Sequence, residues 1–234
     1  MFTSIEPPLR GASAPLPRSQ RSRRKPRVAV FGSFHGGYHV LRELLESPLS
    51  QSVKVVGVAS DDTEEPFIHA GVRLWKYGHS ENEEWLVRHL AVGAGLPVFT
   101  GRVNSDHFAD KFLNQWRPDL CLMATFGQKI PRRLFTFPRL GFYNFHHSDL
   151  IWPSYPGPDP IAQMVRDGKR QVVITLHEVV DVIDGGRFIA RSQPVQLPPD
   201  ANAVSVHRTT WPQMGSFIRR QVLRQLGRFE KVNL

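Results

Sequence analysis

Cysteine is almost absent from this chain of 234 residues, Cys121 being the only one. An internal disulfide is therefore excluded, and a lone cysteine inside an apolar run suits a reducing compartment. Long apolar runs are also lacking. Hydrophobic residues make up 41% of the sequence, enough for one substantial core, yet no run nears the roughly 20 residues that a membrane-crossing helix needs. A signal peptide would need an apolar core near the start, and none is there. Together these absences lead to the expectation of a cytoplasmic protein with no membrane partner.

Acidic side chains are scarce at the start. The first 27 residues hold Arg10, Arg18, Arg21, Arg23, Arg24, Lys25 and Arg27 against Glu6 alone, which is six of the nine net positive charges. With Pro7, Pro8, Pro15, Pro17 and Pro26 in the same stretch, residues 1–26 read as a disordered basic tail that buries too little surface to fold. The prolines also discourage the amphipathic helix of a transit peptide. Attraction of such a tail to polyanions is salt-sensitive and carries no sequence recognition. The folded, catalytic domain is expected over residues 27–234.

Within that domain the apolar pattern alternates between strand and helix periods. Residues 28–32, 53–59, 97–99 and 120–124 read as strands, with helices expected around 38–45, 83–93 and 105–116 between them. This succession predicts an α/β fold, a Rossmann-like and mostly parallel sheet flanked by helices. Residues 141–145 form a further strand. After it the strands crowd together at 172–177, 188–190 and 195–197, and a last helix spans 205–226. Residues 62–80 carry Trp75, Tyr77 and Gly78 in a long irregular stretch that matches no motif.

Asn144 and His146 lie two apart on a strand, so both side chains project to one face. Asp184 follows a second strand-like run and sits at the Gly185-Gly186 turn, a place where polar side chains often line a cleft. An amide, an imidazole and a carboxylate that converge would form a working acyl-transfer site. Plainer readings stand beside this one: Asn144 capping a turn, His146 as a buried histidine satisfied by the main chain, and Asp184-Gly185 as a hairpin turn. His147 alternates to the opposite face, and His177 is expected to pack or hydrogen-bond locally. His146, His147, Asp149, His177 and Asp184 also supply ligands enough for a metal-dependent hydrolase, although HExxH spacing is lacking. The loop Gly32-Ser33-Phe34-His35-Gly36-Gly37 matches neither GxGxxG nor a P-loop and reads as a tight turn. Its place beyond a strand's carboxyl end keeps Ser33, Gly36 and Gly37 as candidate contacts for an anionic acceptor group.

Four segments in order carry a family likeness: Asn144-x-His146, then Pro153-Ser154-Tyr155-Pro156-Gly157-Pro158-Asp159-Pro160-Ile161, then Thr175-x-His177, then Asp184-x-Gly186. With the upstream Ala124-Thr125-Phe126-Gly127-Gln128-Lys129-Ile130-Pro131, the chain resembles the 10-formyltetrahydrofolate-dependent formyltransferases. That group includes the glycinamide ribonucleotide, methionyl-tRNA and sugar N-formyltransferases. The resemblance implies an enzyme that uses 10-formyltetrahydrofolate as formyl donor and needs no metal. Asn144 and a protonated His146 would stabilise the oxyanion, His146 would also shuttle protons, and Asp184 would hold His146 and favour its charged form. Ala124, Phe126, Gly127, Gln128, Ile130, Val182 and Ile183 would receive the folate. Ser33, Gly36, Gly37, Ser148, Trp152 and Tyr155 would face the acceptor.

The chain departs from the pattern on the acceptor side. Many relatives read Ser-Leu-Leu-Pro-Lys-Tyr-Arg-Gly after the histidine; here Ile151-Trp152 are inserted, and Ser154 and Pro156 replace the basic residues. An acceptor held by those cations would need other partners, such as Trp152 by stacking or Arg187 by charge. The acceptor is expected to be a small-molecule amine, with a nucleotide-linked amino sugar preferred over glycinamide ribonucleotide. Chain length, with no room for a carboxyl-terminal β-barrel, gives the expectation that tRNA is not the acceptor. A 10-formyltetrahydrofolate hydrolase and a noncatalytic folate-binding module are the rival functions. The late strands and the helix carrying Trp211 offer a surface for a homodimer.

Overall fold

A computed structural model describes residues 24–61, 76–151, 154–197 and 200–232. The basic tail up to residue 23, Trp152, and residues 62–75 of the irregular stretch lie outside the described residues. Arg24, Lys25 and Pro26, counted above with the tail, are held in place. Arg24 makes a two-pronged bond to Asp119 at 2.8 and 2.9 Å, and the Pro26 carbonyl accepts from Lys54 N at 2.9 Å.

One seven-stranded sheet has the order β3-β2-β1-β4-β5-β7-β8. Its parallel part comprises β1 (Arg27–Gly32), β2 (Lys54–Ala59), β3 (Val98–Phe99), β4 (Leu120–Ala124) and β5 (Phe142–His146). β7 (Thr175–Glu178) and β8 (Phe188–Arg191) extend it antiparallel, and β6 (Gln171–Val172) pairs with β9 (Val195–Gln196) in a separate ribbon. The expected run 172–177 is therefore two strands. Its halves separate at Val173-Ile174, where the chain leaves the ribbon and joins β5.

Strand alternation places the core on both faces of the sheet, as a parallel sheet requires. Val28, Val30, Leu120 and Leu122 pack under α1 (Phe34–Glu46), α2 (Glu81–Gly93) and α7 (Gly215–Val232). Ala29, Phe31, Cys121 and Phe142 face the other way, against α3 (Asp106–Asp110) and the π turn Lys111–Trp116 that continues it. Cys121 is fully buried on the central strand β4, between β1 and β5, and burial raises its thiol pKa well above the ordinary value. The late helix expected at 205–226 is broken by a 3-10 turn, Trp211–Met214, into α6 (Ala203–Thr210) and α7; Pro212 cannot supply the amide that a continuous helix needs. The Trp211 side chain is fully buried and contributes no surface, whereas Phe188 on the late strand β8 is 40% exposed. Two short helices were not expected: α4 (Arg132–Phe135) and α5 (Pro160–Arg166). Among the described residues, no helix is long and apolar enough to cross a membrane.

Candidate active site

In open α/β sheets ligands bind beyond the carboxyl ends of the strands. A cavity of about 280 Å³ lies there, beyond β4 and β5 and beside the β7–β8 connection. Among the described residues, two non-glycine residues with left-handed backbone line it, Thr125 after β4 (φ 53°) and Asp184 (φ 52°), and a third, Phe34 (φ 54°), follows the carboxyl end of β1. Such conformations are disfavoured for side chains with a Cβ, and they concentrate where geometry serves a site.

Asn144, His146 and Asp184 all line the cavity. Asp184 is their hub. Its Oδ1 lies 3.6 Å from His146 Nδ1 and 3.4 Å from both His177 Nε2 and Asn144 Nδ2, while Oδ2 accepts from Gly157 N at 2.8 Å. Burial pushes this carboxyl pKa up, but the His177 and His146 imidazoles and the Gly157 amide outweigh it, so the net shift is downward and Asp184 is ionised near neutrality.

The main chain fixes both tautomers, because a carbonyl can only accept. His146 Nε2 donates to Tyr155 O at 2.9 Å, so the neutral ring keeps its lone pair on Nδ1, facing Asp184. His177 Nδ1 donates to Glu178 O at 2.8 Å, while Nε2 lies 3.1 Å from Asn144 Nδ2 and 3.4 Å from Asp184 Oδ1; in a neutral ring it accepts from the amide. Two expectations change here. Burial lowers the His146 pKa, against the opposing pull of Asp184 and the Tyr155 carbonyl, so the ring is neutral at pH 7 rather than protonated. The Asn144 NH2 group is already engaged by His177 and, over a longer contact, by Asp184.

His177, expected to pack or hydrogen-bond locally, bonds the adjacent Glu178 carbonyl, and it also lines the cavity and joins Asn144 to Asp184. Its signal was present in the sequence. On antiparallel strands it pairs directly with Asn144, a neighbour relation that strand counting across the β5–β7 connection can supply. His147 also lines the cavity, but its ring is buried against His207 and Trp211, with ring centroids 4.4 and 5.5 Å away. Among the described residues, neither of its ring nitrogens has a hydrogen-bond partner, and burial pushes its pKa down to about 3.

Of the residues expected to receive folate, Phe126, Gly127, Gln128, Ile130, Val182 and Ile183 line the cavity, and Ala124 lies behind it, fully buried. Phe126, Ile130 and Val179 make that end apolar, and Val182 and Ile183 stand 68% and 62% exposed at its mouth. A flat heteroaromatic ring fits such walls, and the apolar lip can cover a longer tail. The polar groups here are largely engaged already. Gly127 N donates to Asp61 at 2.7 Å, and the Gln128 amide joins Val103 N to Gly101 O at 2.9 and 3.2 Å.

The expected acceptor residues fare differently. Ser33 is fully buried and exchanges hydrogen bonds with Asp61, its Oγ donating to Oδ2 at 3.1 Å and accepting from N at 2.9 Å. The Gly37 amide already donates to Ser33 O at 3.0 Å, and neither Gly36 nor Gly37 lines the cavity. They are close-packing positions in α1: a Cβ on Gly36 would strike Thr125, and one on Gly37 would come within 2.5 Å of Gly32. Ser148 is fully buried, its hydroxyl bonded to Tyr155 O at 2.7 Å. Tyr155 is buried too, and its hydroxyl donates to Asp167 at 2.9 Å. None of these five lines the cavity. Arg187 pairs with Glu178 at 2.5 Å. From the irregular stretch, Lys76 and Tyr77 converge instead on Asp159 in the cavity wall, at 2.7 and 3.0 Å. Among the described residues, no group of three His, Cys, Asp or Glu side chains is arranged to hold a metal ion.

An amide, a neutral imidazole and an ionised carboxylate on one cavity wall are the groups that acyl-transfer chemistry draws on. Residues 26–211 match a family model described as Formyl transferase, and the chain belongs to that family. Methionyl-tRNA formyltransferase from Roseiflexus castenholzii is 34% identical over 122 residues, covering 52% of this chain and 38% of the relative. The Staphylococcus aureus enzyme of the same name is 33% identical over 121 residues, with the same coverage. The match thus spans well under half the length of these curated relatives. Their name corrects the expectation that tRNA is not the acceptor, which had rested on chain length. Among solved structures, glycinamide ribonucleotide transformylase 1 from Symbiobacterium toebii superposes with a TM-score of 0.64 at 18% identity, over 87% of this chain and 89% of that one. A formyltetrahydrofolate deformylase from Pseudomonas syringae gives 0.59 at 19% identity, over 88% and 61%. WlaRD, a sugar 3N-formyl transferase solved with dTDP and 5-N-formyl-THF, gives 0.60 at 16% identity, over 88% and 64%.

Proposed function

We propose that this protein transfers a formyl group from 10-formyltetrahydrofolate to a primary amine. The observation that carries this reading is the convergence of Asn144, His146 and His177 on Asp184, in the wall of a cavity whose far end is apolar. The donor supplies a formyl carbon open to attack by the amine. The residues then divide the work by their hydrogen bonds. His146 Nδ1 holds the one uncommitted lone pair of that ring, so it takes the proton that the amine loses and can return it to the departing folate nitrogen. The imidazolium so formed points at Asp184, whose charge favours it. Asn144 Nδ2 can exchange its long 3.4 Å contact with Asp184 for the formyl oxygen as negative charge develops there, while His177 keeps the amide oriented.

The acceptors named for relatives are methionyl-tRNA, glycinamide ribonucleotide and a sugar solved beside dTDP. A primary amine in a molecule that also carries phosphate covers all three, and a nucleotide-linked amino sugar remains among the candidates. The test is calorimetry with a nonhydrolysable 10-formyltetrahydrofolate analogue, followed by turnover with each of the three amines. Saturable binding by the wild type and by His146→Ala, with turnover in the wild type alone, is the expected result. No binding at millimolar analogue overturns the assignment. Binding with no turnover of any kind leaves a folate-binding module, and formate release that ignores every amine makes the protein a hydrolase.

A further inference from the structure

A second hollow, of about 690 Å³, opens on the other side of Tyr155. Its walls come from Asp149, from the turn that leads into β6, and from the segment joining β8 to β9. Tyr155 is the partition: its carbonyl holds His146 Nε2 at 2.9 Å, and the residue also lines the hollow. An occupant would lie one residue's width from the imidazole that the reaction uses.

The two chambers differ in charge. The reaction cavity is lined by Lys129 against Asp159 and Asp184. The hollow has Lys169, Arg170 and Arg191 against Asp149 alone, and Asp149 is already bonded to Arg191 at 2.9 Å. Asp167, just outside, accepts from the Tyr155 hydroxyl. Lys169 and Arg170 have no ion-pair partner among the described residues, whereas Lys76, Arg132, Arg187 and Arg208 are each matched to a carboxylate. The main chain beneath the two cations is fixed. Lys169 N donates to Met164 O at 2.9 Å, and Arg170 O accepts from Leu197 N at 2.8 Å. The side-chain amides of Gln171, Gln193 and Gln196 add neutral donors.

We propose that this hollow binds a phosphate ester, with Lys169 and Arg170 as the charged contacts. Its link to catalysis rests on the formyl-transfer reading, since Tyr155 holds the imidazole of that reaction on one side and lines the hollow on the other. A guanidinium fork and an ammonium group suit phosphate oxygens, and glutamine amides complete the shell without adding charge. The hollow and the reaction cavity share no lining residue, so a ligand here would not compete with folate there.

Calorimetry of the full-length protein with inorganic pyrophosphate tests the site, wild type beside Lys169→Glu/Arg170→Glu, at low and high salt. The double variant is expected to weaken binding by about tenfold or more at low salt. The basic tail is the same in both proteins, so the difference reads the hollow alone. A milder pair, Lys169→Gln/Arg170→Gln, guards against misfolding, and unchanged binding of the folate analogue shows that both variants are intact. Thymidine diphosphate and a short RNA ending in CCA then separate a nucleotide source from a tRNA source, and weakening of either by the variants supports the site. Isotherms that match between wild type and both variants for all three probes overturn it. Loss of folate binding in the wild type would sink the formyl-transfer reading instead, whatever pyrophosphate does.

Discussion

His146 and His147 are neighbours in the chain and almost equally buried, at 7% and 5% exposed, yet their chemistry differs completely. His146 has a carbonyl on one nitrogen and a carboxylate facing the other, and these partly offset the effect of burial. His147 has neither, and its pKa falls to about 3. Burial alone silences an imidazole; a fixed carbonyl and a nearby carboxylate keep it usable as a base. Both residues border the cavity, but strand alternation turns one ring to Asp184 and the other to His207 and Trp211.

The largest expected effect comes from erasing that difference. Asp184→Asn makes the surroundings of His146 more like those of His147 and should lower formyl transfer by about 1000-fold or more, with folate-analogue affinity changed little. The acid limb of the rate profile should also move to lower pH, because the carboxylate raises the His146 pKa and its loss leaves the Tyr155 carbonyl alone to oppose burial. Steady-state kinetics from pH 5 to 9 decides the point; a limb that stays in place would mean that Asp184 does not act through His146.

A smaller effect is expected from Ser148→Ala. The hydroxyl shares the Tyr155 carbonyl with His146, so its removal loosens the anchor without touching the cavity. A buried hydrogen bond contributes about 0.5–1.5 kcal/mol, so kcat should fall by about 2- to 10-fold while KM for the folate holds. A rise in KM with kcat unchanged would instead make Ser148 a ligand contact.

The smallest effect on activity is expected from His147→Phe. The change removes two buried nitrogens that have no partner and should stabilise the protein by about 1 kcal/mol, read in urea melts, with kcat near wild type. It should also flatten part of the acid response. The folded pKa of about 3 lies below the ordinary 6.5, so the unfolded chain takes up the proton first, and stability drains away as pH falls through that window. His39, pushed down to about 4 by burial and by Arg42, contributes in the same sense and remains in the variant. A variant with unaltered acid sensitivity would show that the His147 environment is wetter than its packing implies.

Much of the fold was legible because parallel strands buried on both faces are short apolar runs and their covering helices are amphipathic. β1, β2, β3, β4, β5 and the helices α1, α2 and α3 fall where periodicity puts them. The reading failed where two or three residues decide. Val173-Ile174 kept the apolar run going while the chain changed sheets. α5 hid in a proline-rich stretch, although Asp159 as cap and Pro160 in the first turn are the signal that starts a helix. In the site, Asn144, His146 and Asp184 were legible from residue type and order. The orientation of the Asn144 amide was not, since it depends on a His177 tautomer that is set by Glu178 O. The contrast between Gly127 and Gly36 was equally invisible. Both lie near a strand's carboxyl end, yet Gly127 lines the cavity while Thr125 and Trp211 pack against Gly36.

The thiol on β4 has a use that its burial creates. Cys121 lies at the centre of a ladder bonded on both sides, so a thiol-specific dye reaches it only after the sheet itself has come apart. The chain therefore carries its own clock for global opening. The rate of dye incorporation under native conditions would report how often the whole sheet dissolves, and the slowing of that rate by an added molecule would register binding before any reaction is known.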